Sequence, residues 1–209
     1  KQESVFYYLT VGNENYPMPS IPQGVKDGIT KGLYRFQRSD KKALKCRAHL
    51  LGSGAIMNQV LEAKKILEEK YQVACDVWSV TSYNELRRDG LQTERWNFFN
   101  PKEAPRLPFV TQCLKNESGV VVAASDYMKA LPDGIRPWIA HPMISLGTDG
   151  FGRSDTRKTL RDFFEVDSRH IAFAALAALF REKMIKPEVI DRALKELEIN
   201  PEKVNPMIN

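Results

Sequence analysis

No run of about 18 apolar residues occurs in the 209-residue chain, so a helix crossing a membrane is excluded and a soluble protein is expected. The most apolar stretch, residues 171–180, is too short and too rich in alanine to span a bilayer. Cysteine is scarce. Cys46, Cys75 and Cys113 are odd in number and far apart, with no CxxC and no Cys/His ligand spacing, which removes a cysteine metal site and leaves reduced, buried thiols as the expectation. Reduced thiols point to the cytoplasm. Histidine is equally sparse: His49, His141 and His170 have no partner at catalytic or ligand spacing and read as structural. GxSxG, HExxH, GxxxxGK[ST] and the full GxGxxG are all missing, so the common hydrolase, metalloprotease, P-loop and dinucleotide signatures are excluded. Neither an initiator Met nor a signal-like apolar segment opens the chain, which is the pattern expected of a piece of a longer polypeptide.

What is present is ample material for a core: 43% of residues are hydrophobic and 10% aromatic. The formal charge of +5 raises the question of nucleic acid, and Arg35, Arg38, Lys41, Lys42, Lys45 and Arg47 do cluster. They fall on a polar connector without interleaved aromatics or a recognition-helix pattern, so a solvated loop and no nucleic-acid partner are expected.

Apolar patterning alternates between strand and helix. Residues 5–10 read as a strand, and the prolines from Pro17 to Pro22 as a linker. Residues 44–51 read as a strand ending at Gly52-Ser53-Gly54, and 56–71 as an amphipathic helix with apolar positions at Ile56, Val60, Ala63, Ile66 and Leu67. A strand over 73–80, a helix over 83–97 broken at Gly90 and a short helix over 109–114 follow. Residues 120–124, apolar throughout, read as a central strand buried on both faces. A strand over 138–146 is interrupted by His141-Pro142 and belongs at an edge or carries an irregularity. Ser154 or Asp155 caps a helix over 156–164; Asp167 or Ser168 caps an alanine-rich helix over 169–183; Pro187 opens the last one. This order predicts an α/β fold, a doubly wound, mainly parallel sheet flanked by helices.

Two segments can carry chemistry. The loop Gly147-Thr148-Asp149-Gly150-Phe151-Gly152-Arg153-Ser154-Asp155 joins a strand to a helix, and its glycines suit close approach of a backbone, a ligand or a partner. Asp149, Gly150, Phe151, Gly152 and Arg153 are its candidate interface or active-site-loop residues, with Phe151 as the anchor and Arg153 pairing to an acid. Gly52, Ser53 and Gly54, between a strand and a helix, form a candidate anion nest, with a tight structural turn as the alternative. Asp76, Asp126 and Asp149 lie near strand ends, where open sheets gather ligands, although a helix cap accounts equally for Asp126.

Taken in order, Leu50-Leu51-Gly52-Ser53-Gly54, Val77-Trp78-Ser79-Val80-Thr81-Ser82-Tyr83-Asn84-Glu85-Leu86, Glu94-Arg95-Trp96-Asn97, Ala124-Ser125-Asp126-Tyr127-Met128-Lys129 and the glycine loop through Arg157 resemble one family. It is the homodimeric-type pyruvate dehydrogenase, the thiamine-diphosphate-dependent first component of the pyruvate dehydrogenase complex. The resemblance runs almost the whole chain, through Lys203-Val204-Asn205-Pro206. It implies a transketolase C-terminal-domain-like fold over residues 23–209, preceded by the end of a pyrimidine-binding domain and a linker over 1–22. The cofactor motif, Gly-Asp-Gly followed at a distance by Asn-Asn, is missing from this sequence, and the glutamate that activates the cofactor belongs to a preceding domain of the family. The resemblance therefore implies thiamine diphosphate and Mg2+ in a longer enzyme, none in this chain, and no catalytic or metal-binding residue here. It also implies a second copy and a lipoyl-bearing acetyltransferase as partners, oxidative decarboxylation of pyruvate as the reaction, and a bacterial cytoplasm as the place. Where the related transketolases carry Ser-Arg-Gln-Asn, this chain has Thr10-Val11-Gly12-Asn13. Loss of that guanidinium favours a small 2-oxo acid over a sugar phosphate. A transketolase-like enzyme domain, a non-catalytic module holding a regulatory anion at Gly52-Ser53-Gly54, and a free-standing flavin- or nucleotide-binding domain are the competing expectations.

Overall fold

The computed structural model describes residues 4–7, 9, 11–12, 14–41 and 43–208. Among them, after a short helix α1 (Lys26–Lys31), five strands form one sheet: β1 (Leu33–Gln37), β2 (Arg47–Gly52), β3 (Ala74–Val80), β4 (Val120–Ala124) and β5 (Met143–Leu146). Their order is β1-β3-β2-β4-β5. β3, β2, β4 and β5 run parallel, and β1 lies antiparallel along the outside of β3.

Side chains alternate across this sheet with the strand period of two, and each face is closed by its own helices. Ala48, Leu50, Val77, Val120 and Val122 pack on the first face against α2 (Met57–Lys70), α7 (Ser168–Arg181) and α8 (Pro187–Glu196). Leu51, Trp78, Val80, Val121 and Ala123 pack on the second, against α3 (Tyr83–Phe99) and α4 (Phe109–Leu114). All five β4 residues are fully buried, as an unbroken apolar run between two parallel neighbours requires. Each such valine contributes about 1.5–3 kcal/mol by leaving water. The alanines of α7 keep its sheet-facing side thin: Ala172, Ala175 and Ala178 are all buried.

β2 leads to β3 on one side through α2. β3 leads through α3 and α4 to β4 on the other side of β2. Chain direction across the sheet thus reverses between β2 and β4, and the C-terminal ends of these strands open the crevice where doubly wound sheets hold ligands.

Several expectations need correction. Val5, Phe6, Tyr7 and Leu9 form no strand and are exposed; apolar, β-branched composition does not make a strand without a neighbour to complete its hydrogen bonds, and Tyr8 and Thr10 lie outside the described residues. α3 continues without a break through Gly90 to Phe99. Gly90 is a packing site, where the Trp138 ring lies so close that a Cβ would fall among its atoms, and the indole Nε1 donates to Glu94 Oε1 at 2.8 Å, one turn further on. The strand expected over 138–146 is only β5. Trp138 ends a 3-10 turn (Arg136–Trp138), and His141-Pro142 precedes the ladder. Thr156, rather than Ser154 or Asp155, caps α6 (Arg157–Phe163), its side chain accepting from the Thr159 amide. Asp126 caps no helix, since α5 (Ala130–Asp133) begins after Lys129. The basic cluster is not all solvated either: Arg47 pairs with buried Asp76 at 2.8 Å, and Arg35 pairs with Glu117 and stacks over Trp78. Lys42 lies outside the described residues. The three cysteines are free. Burial pushes the Cys75 thiol up and that of Cys113 to about 11. No helix among the described residues is long and apolar enough to cross a membrane.

Candidate functional site

Three loops meet at the C-terminal edge of the parallel strands. The loop after β2, Gly52-Ser53-Gly54, enters α2 through a 3-10 turn (Gly54–Ile56). It is tied to the loop after β4 by a hydrogen bond from Ser53 Oγ to Ser125 Oγ at 3.0 Å, and Ser125 Oγ in turn accepts from the Tyr127 amide. The Asp126 carboxylate lies beside Gly54, its nearer oxygen 3.4 Å from where a Cβ would stand, so the chain's own acid faces the start of α2.

The loop after β5 is stitched to the β4 loop. The Thr148 amide donates to the Tyr127 carbonyl at 3.0 Å and its hydroxyl to the Asp126 carbonyl at 2.8 Å. Asp149 accepts from the Lys129 amide at 3.3 Å and faces the Lys129 ammonium at 3.8 Å. Asp126 and Asp149 therefore sit on neighbouring loops. Asp76 does not join them; it is buried near the N-terminal end of β3, where its Oδ1 accepts from Arg47 and the Ser39 amide.

The glycines of the β5 loop differ in purpose. Gly150 has φ of 107° and abuts the Pro206 carbonyl, so a side chain there meets both backbone strain and a collision. Gly147 touches the backbone of Tyr127, whereas Gly152 has open space around it. Between these two glycines and past Gly150, Phe151 stands 83% exposed, a large ring with no cover from the described residues. The Arg153 guanidinium lies over the Phe163 ring, 4.5 Å from its centroid.

The histidines are held internally. His49 is fully buried, donates from Nε2 to the Ser118 carbonyl at 3.0 Å and accepts from Trp78 Nε1; burial pushes its pKa down. The ring nitrogens of His141 lie 3.2 and 3.0 Å from the Gly119 and Leu114 carbonyls. His170 Nδ1 sits 2.8 Å from Asp167 Oδ1, and Asp162 stands close enough for the three to suggest a metal triad. The Arg169 guanidinium fills that role by bridging both carboxylates, so the cluster is an ion-pair network joining α6 to α7. Burial alone would raise the Asp167 carboxyl, but hydrogen bonds from His170 and Arg169 hold it well below the usual range.

A feature that sequence reading missed lies beside these loops. Arg153, Arg157 and Arg161 all line a cavity of about 310 Å3 between α6, the β5 loop and the start of α2. The signal was partial: Arg157 and Arg161, four residues apart, share one face of α6, whereas Arg153 precedes the helix.

The glycine loop does not fit a thiamine diphosphate and magnesium site. The Asp-Gly of the glycine loop, Asp149-Gly150, has its carboxylate engaged by Lys129, and the flanking Thr148 is hydrogen-bonded to the β4 loop.

Comparison with known proteins gives a consistent result. The sequence family described as the transketolase-like TK C-terminal domain matches residues 32–167. The chain is 48% identical over 208 residues to the pyruvate dehydrogenase E1 component of Pseudomonas aeruginosa, covering 99% of this chain and 24% of that protein. It is 44% identical over 209 residues to the E1 component of Escherichia coli, covering 100% of this chain and 23% of that one. Thus the chain spans about a quarter of the length of these relatives. Among solved structures, transketolase from Leishmania mexicana superposes with a TM-score of 0.51 at 16% identity over 77% of this chain and 20% of that one. A transketolase from Pichia stipitis superposes with a TM-score of 0.52 at 15% identity over 81% and 22%. These likenesses concern the fold.

Proposed function

The chain belongs to the transketolase-like TK C-terminal domain family, and from that premise we propose that it serves as the C-terminal domain of a pyruvate dehydrogenase first component. In this reading the longer enzyme oxidatively decarboxylates pyruvate and hands the acetyl group to the lipoyl groups of an acetyltransferase. Residues 1–22 are the end of the pyrimidine-binding domain with its linker, and 23–209 the domain itself. Thiamine diphosphate and Mg2+ are held elsewhere in the enzyme, which works as a homodimer in the bacterial cytoplasm. The domain contributes architecture and interface and is inert alone.

The observation that carries this reading is identity along the entire chain rather than in an isolated motif, at a level where one fold and one branch of a family are shared. The structure supports the architectural role, because its catalytic-looking groups are internally engaged while Phe151 is presented outward from a loop stitched to its neighbours. In the proposal Asp149, Gly150, Phe151, Gly152 and Arg153 meet a second copy or a neighbouring cofactor-binding domain. The direct test is pyruvate decarboxylation with thiamine diphosphate, Mg2+ and an artificial electron acceptor. The longer enzyme should turn over in a cofactor-dependent way, and the isolated chain should not. Turnover by the chain that scales with its concentration would overturn the proposal.

A further inference from the structure

We infer that His141 is a proton-operated clamp at the N-terminal edge of the sheet: carrying two protons it ties the end of α4 to the turn into β4, and on giving one up it lets go of one of them. The inference does not depend on the reaction proposed above.

The connector from α4 to β4, residues 115–119, is pinned through consecutive carbonyls by two histidines from other segments. His49 Nε2 on β2 lies 3.0 Å from the Ser118 carbonyl, and His141 Nδ1, ahead of β5, lies 3.2 Å from the Gly119 carbonyl. The second nitrogen of the same ring, His141 Nε2, is 3.0 Å from the carbonyl of Leu114, the last residue of α4. The two imidazoles stand 5.9 Å apart between centroids. Their proton demands are opposite. His49 receives the Trp78 indole N–H at Nδ1 and donates from Nε2, so a neutral ring protonated on Nε2 satisfies both contacts. At His141 both contacts are carbonyl oxygens, which accept only, so both nitrogens must donate, and the imidazolium alone does that. A neutral His141 keeps one bond and turns a lone pair toward the other carbonyl.

The titratable and charged groups around the clamp come from each adjoining element. β2 brings Arg47 and His49, the connector Lys115 and Glu117, α4 Cys113 and the turn before β5 Arg136, while β4 and β5 bring none. Most of these are answered elsewhere: Arg47 by Asp76, Glu117 by Arg35 and Arg38, and Arg136 by Asp133, while Lys115 is exposed to water. His49 is the titrating neighbour. Its Nδ1 is 4.0 Å from the nearest carboxylate oxygen, Asp76 Oδ2, and its burial, with the proximity of His141 a lesser cause, pushes its pKa down. The first proton that the pair takes up therefore goes to His141, and its charge opposes a second on His49. Falling pH closes the clamp. Rising pH loosens the connector, whose Glu117 anchors Arg35 of the edge strand β1 and Arg38 just beyond it.

Nuclear magnetic resonance of the chain carrying nitrogen-15-labelled histidine reads the ring protons directly, from about pH 5 to about pH 8. His141 should carry a proton on both nitrogens at the acid end and on one at the alkaline end, whereas His49 should keep its single proton on Nε2 until the pH falls below its ordinary value of 6.5. Over the same rise, protection of the amides of residues 115–119 against hydrogen exchange, corrected for the intrinsic pH dependence of exchange, should fall about tenfold. His141→Gln, which cannot hold a second proton, should show the lower protection at both ends, and His141→Arg, a permanent cation with several donors, the higher protection at both. One ring proton on His141 throughout, or protection that follows pH in His141→Gln as it does in the unaltered chain, would overturn the inference. If the variants fail to fold, the ring nitrogen shifts of the unaltered chain decide the matter alone.

Discussion

The two ends of the sheet are built from similar residues to opposite effect. At the N-terminal end, Asp76, Arg47, His49, Ser39 and His141 are charged or polar and largely enclosed, each answered by a neighbour from another element. At the C-terminal end Arg157 and Arg161 of α6, with Arg153, Asp126 and Asp149 on the loops, stand more open to water, around a cavity and an exposed Phe151. The difference teaches that a polar residue near a strand end says nothing by itself about chemistry. What separates the two ends is burial: partners enclosed from water rigidify a fold, whereas at the open end the Arg157–Glu14 and Lys129–Asp149 pairs form where solvent reaches them.

The largest expected effect lies at the closed end. Asp76→Ala strands the Arg47 guanidinium and the Ser39 amide, and should cost about 3–5 kcal/mol in urea unfolding. A loss below about 1 kcal/mol would erase the distinction between the ends. At the open end the expected costs are smaller and depend on backbone. Gly150→Ala, forced to a positive φ against the Pro206 carbonyl, should lose about 1–3 kcal/mol, while Gly152→Ala, with open space around it, should stay within about 0.5 kcal/mol. Equal losses would show that the loop is not held as described.

Acid sharpens the comparison further. The pKa of His49 is pushed below its ordinary value of 6.5 by burial, so its share of stability is complete above pH 6.5 and is lost as the pH falls below that point. Asp167 is also lowered, from 3.8, and its share is lost only at more acidic pH. Between pH 6.5 and 5, therefore, the melting temperature of His49→Gln should fall less steeply than that of the unaltered chain. Parallel slopes would remove His49 as the source. The smallest effect on stability belongs to Phe151→Ala, which should leave unfolding unchanged within about 0.5 kcal/mol yet weaken self-association or turnover of the longer enzyme. Unchanged sedimentation and kinetics would make the ring a surface accident.

Periodicity made the sheet legible: residues 120–124 could only be a buried strand, and the alternation of strand and helix patterns implied the winding. It failed where the deciding partner is remote in sequence. Gly90 looks like a helix break until Trp138 is laid against it, and residues 5–10 look like a strand, although Val5, Phe6, Tyr7 and Leu9 have no strand neighbour among the described residues. The cap of α6 was misplaced because Ser154, Asp155 and Thr156 are all competent oxygens and only backbone geometry selects one. At the site, the loops were found through glycine, which local conformation requires. The arginine cavity was not, because Arg153 lies before the helix that carries Arg157 and Arg161, and the apolar wall comes partly from Ile56, a hundred residues away in a different element.

The position of β2 has a consequence for how the chain comes to be folded at all. It is the middle strand, yet its neighbours arrive later, β3 at residues 74–80 and β4 only at 120–124. During synthesis an apolar ribbon with one edge still unpaired must wait, after α2 and β3 have formed, until the ribosome has delivered β4. The open edge of β2 can therefore be paired only once Ala124 has been delivered, and the first face of the sheet is closed later still, by α7 and α8. Slowing elongation between Val80 and Val120 should lengthen chaperone association, and slowing it between Leu146 and Ser168, before α7 and α8 cover the first face, should lengthen it too.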